Sequence, residues 1–155
     1  MSKLKVTSLN GNRRRSRSAL DCGGDRGNYL ANMFSVETDS SKRLLVISVA
    51  GRVTADEVRQ TSQRVSEIAK EMAPGFRVLT DFRWLESMDA SAARYVAQIM
   101  DTVAAQKVGA IVRVIPDPHK DIGLNILSQF HYGSEVHALT FENLAEALQS
   151  LITSS

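Results

Sequence analysis

Phe76-Arg-Val-Leu-Thr-Asp81-Phe-Arg-Trp84-Leu-Glu-Ser87-Met-Asp89-Ala-Ser91-Ala-Ala-Arg-Tyr95 is the stretch on which the fold turns. It is entered through the breaker Pro74-Gly75 and begins as a strand, with Phe76, Val78, Leu79 and Phe82 in a β-rich run. It ends as a helix, because Ala92, Tyr95, Val96, Ile99 and Val103 recur at three- and four-residue spacing. The polar residues Arg83 to Asp89 read as the turn between the two, with Asp89 as the helix N-cap. On that reading Asp81 stands near a strand end and Ser91 at the second position of the helix.

Upstream, Phe34, Val36 and Thr38 alternate with polar residues, and Leu44 to Ala50 forms a second β-run. Asp39-Ser40-Ser41-Lys42 is turn material, so the two make a hairpin that Gly51 closes. Thr54 and Glu57 have the spacing of a capping box. The helix behind them carries Val58, Val65 and Met72 on one face, with Thr61, Ile68 and Ala69, and stops at Ala73-Pro74-Gly75.

Downstream of the central helix, Ala110 to Ile115 is apolar except for Arg113 and reads as a strand covered on both sides. Pro116-Asp117-Pro118 ends it. Asp121 to Phe130 reads as a short helix with Ile122, Ile126, Leu127 and Phe130 along its buried side. Val136 to Leu139 is a last strand. Thr140 caps a final helix that turns Leu144, Ala147, Leu148 and Leu151 inward. The order β-β-α-β-α-β-α-β-α gives an α/β fold in which the later strands run parallel.

The 155 residues suit one domain with a short extension. Residues 1–32 lack periodicity and read as a disordered basic extension, so the domain spans 33–155 and the native start is either Met1 or Met33. That extension holds seven Lys/Arg against two Asp, leaving 12 basic and 15 acidic residues in 33–155. Nucleic acid is therefore not expected as a partner, except without sequence preference through the 1–32 extension, which carries the Arg13–Ser18 run. No run reaches the roughly 18 apolar residues of a membrane helix. The lone Cys22 excludes an internal disulfide and suits a cytoplasmic location.

Chemistry is hard to find. His119, His131 and His137 have no partners at metal-ligand spacing, so neither metal nor cofactor is expected. Cys22 lies outside the domain, and no glycine-rich phosphate loop follows a strand. Asp81 and Asp89 could both stand at the carboxyl end of the central strand, but an N-cap and a polar strand end account for them. No enzyme is read from these residues.

Ser91 is more informative, since a phosphate there would meet the unpaired amides and positive dipole of a helix start. The run from Val78 to Ala93 resembles the signature of STAS domains, the anti-sigma factor antagonist (SpoIIAA-like) family. In that family a strand ending in Asp leads through a loop to Asp-Ser-Ser/Thr-Gly and a helix. Val46 to Val58 resembles the family's opening and Phe141 to Leu148 its closing helix. The resemblance implies a mixed sheet of four to five strands with helices mainly on one face. It also implies a non-enzymatic regulatory module whose protein partner is an anti-sigma factor or kinase, with Ser91 as the phosphorylated residue. Ala90, Ala92 and Ala93 replace the family's Ser, Gly and Leu, and Ala92 is expected to obstruct a kinase loop.

Two surfaces follow as candidates. Asp81, Trp84, Ser87, Asp89 and Ser91 would meet a protein partner, with Trp84 as its anchor. Alternatively Ile122, Leu124, Ile126, Leu127, Phe130 and Tyr132 would line a pocket for a small apolar, lipid-like ligand.

Overall fold

The computed structural model describes residues 5–8, 33–132 and 134–153. Among these residues six strands lie in sequential order in one sheet: β1 (Lys5–Ser8), β2 (Met33–Asp39), β3 (Leu44–Val53), β4 (Arg77–Met88), β5 (Ala110–Val114) and β6 (Ala138–Phe141). The first three pair antiparallel and the last four parallel. Four helices connect and close them: α1 (Ala55–Glu71), α2 (Ala93–Ala105), α3 (Pro118–His131) and α4 (Leu144–Thr153).

Sequential parallel strands joined by right-handed crossovers send every connecting helix to the same face. There Leu45, Ile47, Val78, Phe82 and Ile111 meet Val58, Val65, Ala92 and Val103 in the larger core. On the other face Leu79, Val112 and Val114 pack under Ala147 and Leu151 of α4. The mixed sheet, with α1 to α3 on one face, thus follows from the order of elements, while α4 covers the other face. β1 lies within the stretch read as disordered: its four residues pair with Ser35–Thr38 along the outer edge of β2. The Arg13–Ser18 run and Cys22 lie outside the described residues.

The hairpin turns where expected. Asp39 Oδ1 accepts the amides of Ser41 (3.0 Å) and Lys42 (3.2 Å), and Arg43 takes φ 50°. The capping box of α1 is formed, with Glu57 N–H on Thr54 Oγ1 (3.3 Å) and Thr54 N–H on Glu57 Oε2 (2.8 Å).

Expectations differ along β3 and β4 and at the start of α4. Gly51, at φ 76°, bends β3 without ending it, and the strand runs on to Val53. β4 likewise continues through the residues read as a turn and pairs with β3 as far as Met88. Two register shifts, between Ser48 and Ala50 and between Gly51 and Arg52, absorb the extra residues. Arg83, Trp84, Glu86 and Ser87 of this part are exposed, which is why it reads as polar. At the start of α4, Asn143 Oδ1 rather than Thr140 takes the cap bond, from Glu146 N–H at 2.9 Å, and Leu148 faces outward.

Helix α3 inverts the expected amphipathicity. Ile122, Ile126 and Phe130 are 57, 52 and 79% exposed, whereas Asp121 is buried. The cause is Arg113 on β5, whose side chain is only 3% exposed and draws polar partners inward. Its guanidinium donates to Asp121 Oδ1 (3.4 Å), Asn125 Oδ1 (3.2 Å) and Ser128 Oγ. A buried charge is tolerated only with such partners, so the helix turns its polar side to the sheet.

Candidate functional site

The residues proposed for partner binding divide into two levels of β4. Asp81 pairs in register with Ser48, while Met88, beside Asp89, pairs with Val53, five residues and roughly 16 Å further along an extended strand. Asp81 and Asp89 are therefore no carboxylate pair. Asp81 is instead clamped locally: Oδ1 accepts Arg83 N–H and Nε–H, both at 3.0 Å, and Oδ2 accepts Nη2–H at 2.9 Å. This clamp straddles the first register shift, and the Asp81 carboxylate holds the Arg83 pKa above its ordinary value. Both oxygens of this carboxylate are thus engaged by Arg83.

The upper level is an exposed rim at the carboxyl ends of β3 and β4. Trp84, opposite Ala50, is 59% exposed. Ser87 faces Arg52 across the ladder, and Arg52 Nε lies 3.4 Å from Glu86 Oε2. Asp89 then heads a 3-10 turn, Ala90–Ala92, that leads into α2. Its side chain does not cap that turn. The carboxylate instead crosses to the amide of Ala55, at 3.2 Å, and so caps α1. Its backbone holds the turn, with Asp89 N–H on Val53 O (3.0 Å) and Ala92 N–H on Asp89 O (2.9 Å).

Ser91 is exposed in the middle of the 3-10 turn, and no hydrogen bond holds its hydroxyl among the described residues. Ala92 is fully buried at φ −72°, ψ −18°, with its methyl in the core. That conformation is open to any residue, so glycine is not required, and the methyl does not stand in the path of an approaching protein. The expected obstruction is absent. Exposed Ala93 and Arg94 complete the surface, with the Arg94 guanidinium 4.8 Å from the Tyr95 ring centroid.

The pocket residues are also divided. Leu124 and Tyr132 line a cavity of about 50 Å³ with Phe82, Val96 and Arg113, while Ile122, Ile126 and Phe130 point to solvent. Burial pushes the Tyr132 phenol up to about 12, although neighbouring Arg113 pulls it down. This volume is far below the roughly 300 Å³ at which ligand sites begin. Among the described residues no group of three His, Cys, Asp or Glu could hold a metal ion. No described helix is long and apolar enough to cross a membrane.

Sequence reasoning did not find the Arg113 cluster, the Asp89–Ala55 bond or the Lys120 ammonium, which donates to Leu85 O at 2.7 Å. The first had a signal, a single charge inside an apolar strand. The other two join residues 34 and 35 positions apart and had none.

No protein-family model matches the chain, and no curated protein does so. Solved structures do match it. The anti-sigma factor antagonist SpoIIAA in its unphosphorylated form is 18% identical, with a TM-score of 0.55 over 77% of this chain and 97% of that one. An uncharacterised DUF3478-family protein from Shewanella loihica with a SpoIIAA-like fold is 15% identical, with a TM-score of 0.59 over 83 and 99%. The phosphorylated form of SpoIIAA, a Bacillus cell-fate determinant, is 18% identical, with a TM-score of 0.51 over 76 and 98%. The chain has the SpoIIAA-like fold.

Proposed function

We propose that this chain is a non-enzymatic regulatory module that binds a protein partner through the rim of Trp84, Ser87, Asp89 and Ser91. The observation that carries the reading is the exposed, unbonded hydroxyl of Ser91 on a turn whose backbone is fixed at both ends. Phosphate there would add about two negative charges to a surface already set in place. It would change what the rim binds without reorganising the fold. Trp84 supplies the apolar anchor beside it. SpoIIAA, which shares the fold, has been solved in phosphorylated and unphosphorylated forms, and the reading extends that regulation to Ser91. An anti-sigma factor with kinase activity is the partner class that fits. Asp81 leaves the proposed surface, since Arg83 occupies it.

The test has two arms. Mass spectrometry of the chain isolated from its source should find phosphate on Ser91. Binding to the isolated partner should be kept by Ser91→Ala and weakened at least tenfold by Ser91→Asp and by Trp84→Ala, because a charge or a gap at an interface centre is not compensated. Unmodified Ser91, together with partner affinity indifferent to all three substitutions, would remove the rim from consideration.

A further inference from the structure

At the end of the sheet opposite Ser91, the amino ends of the parallel strands enclose a recess of about 420 Å³ lined by Lys42, Arg43, Arg77, Glu135, His137 and Leu139. Two glycines keep it open. Gly75 takes φ 82°, and a Cβ on Gly109 would stand 2.8 Å from the Gly75 carbonyl oxygen. Strain at one position and collision at the other thus bar side chains from the floor. The amides there are already used, Gly75 N–H by Lys107 O (2.8 Å) and Gly109 N–H by Phe76 O (2.7 Å). Recognition in this recess therefore falls to side chains.

Their charge is one-sided. The Arg77 guanidinium donates to the carbonyl oxygens of Leu151 and Lys42, neither of which neutralises it. The Arg43 guanidinium has no hydrogen-bond or ion-pair partner among the described residues. Lys42 lies 3.5 Å from Asp39 but is 71% exposed. Glu135 is the one carboxylate among the described residues of the lining. Arg43 is also held in place: its amide donates to Ser40 O, and its carbonyl accepts Arg77 N–H at 2.8 Å. Beside these cations the half-exposed Leu139 offers an apolar wall.

We propose that this recess binds a small phosphate monoester, with the phosphate between Arg43, Arg77 and Lys42 and the body of the ligand against Leu139. Planar guanidinium forks match phosphate oxygens two at a time, and a dianion offsets the uncompensated charges. The volume falls in the usual range for small-ligand sites. The site stands apart from the Ser91 rim and does not depend on the function proposed for it.

Calorimetric titration of the full chain with inorganic phosphate and with phenyl phosphate tests this. Both should bind saturably, phenyl phosphate more tightly. Arg43→Asn, chosen because Asn accepts a positive φ, should weaken both roughly tenfold. Leu139→Ser should weaken phenyl phosphate alone, and Glu135→Gln should tighten both. Arg59→Gln, a lost cation on α1, should change neither. Circular dichroism checks that each variant is folded. The proposal is overturned by absence of saturable binding up to about 10 mM, the limit of weak specific association. It is equally overturned if Arg43→Asn binds like the wild type, or if Arg59→Gln is as damaging. Inorganic phosphate binding as tightly as phenyl phosphate would remove the apolar wall and with it the monoester.

Discussion

The carboxylate of Asp89 accepts the amide of Ala55 at 3.2 Å, across 34 positions of chain, so the end of β4 caps the start of α1. Together with the Thr54–Glu57 box, it satisfies three amides at that helix start, those of Thr54, Ala55 and Glu57. The rim and α1 are therefore one mechanical unit. Any change at Asp89 is felt in α1 before it is felt in α2.

Asp89→Ala should lower stability by about 1 kcal/mol, the usual worth of a lost cap, and Asp89→Asn should recover most of it because the amide oxygen accepts the same bond. Hydrogen exchange locates the effect. Protection should fall in the first turn of α1, at Ala55 and its neighbours. If it fell only at Ala92 and Ala93, the side chain would be capping its own helix.

Much of this was legible in the sequence, and the failures have a common cause. The capping box, the hairpin turn and the covered strand at Ala110–Val114 are local patterns, and each formed as read. The far half of β4 was missed because pairing with β3, and not its own composition, makes it a strand. Periodicity marked α3 as a helix but could not say which face is buried. That was decided by Arg113, from another element. At the candidate site Ser91 was read at the second position of the helix, whereas it lies in the 3-10 turn that precedes α2, and the partner of Asp89 was not legible.

Helix α3 gives a direct check of that inversion. Ile126→Ser, on the exposed stripe, should shift stability by no more than about 0.5 kcal/mol. Leu124→Ala, on the cavity side, should cost about 2 kcal/mol or more. Urea denaturation of the two variants measures both. A larger loss at Ile126 than at Leu124 would mean that the stripe is the buried face after all.

Tyr132 ties stability to high pH. Its folded pKa, about 12, lies above the unfolded value of about 10 because burial disfavours the phenolate. The fold thus holds the neutral form, and the stability this supplies is complete below pH 10. It is lost as pH rises through 12, by on the order of 3 kcal/mol in total. Stability of the wild type should fall more steeply across that window than that of Tyr132→Phe. Spectrophotometric titration should show one tyrosine ionising late in the wild type and none in the variant.

Ala92 stands where the resemblance to STAS domains leads one to expect glycine. Its methyl is fully buried against the core, and its backbone is helical. Ala92→Gly therefore removes a packed methyl and loosens the start of α2. Fixing a glycine in this helical conformation costs about 0.5–1 kcal/mol, and the lost methyl adds about 0.8 kcal/mol. A loss between 1 and 2 kcal/mol in chemical denaturation is expected. Partner affinity should not change, because the surface that Ser91 presents contains none of that methyl. For the same reason Ala92→Gly should leave the effect of Ser91→Asp on binding as it is in the parent chain. A double-mutant cycle on affinity measures this, and a coupling beyond about 0.5 kcal/mol would show that the two neighbours act together. In that case the alanine would be tuning the proposed switch through the shape of the turn, and its burial would be only half of its role.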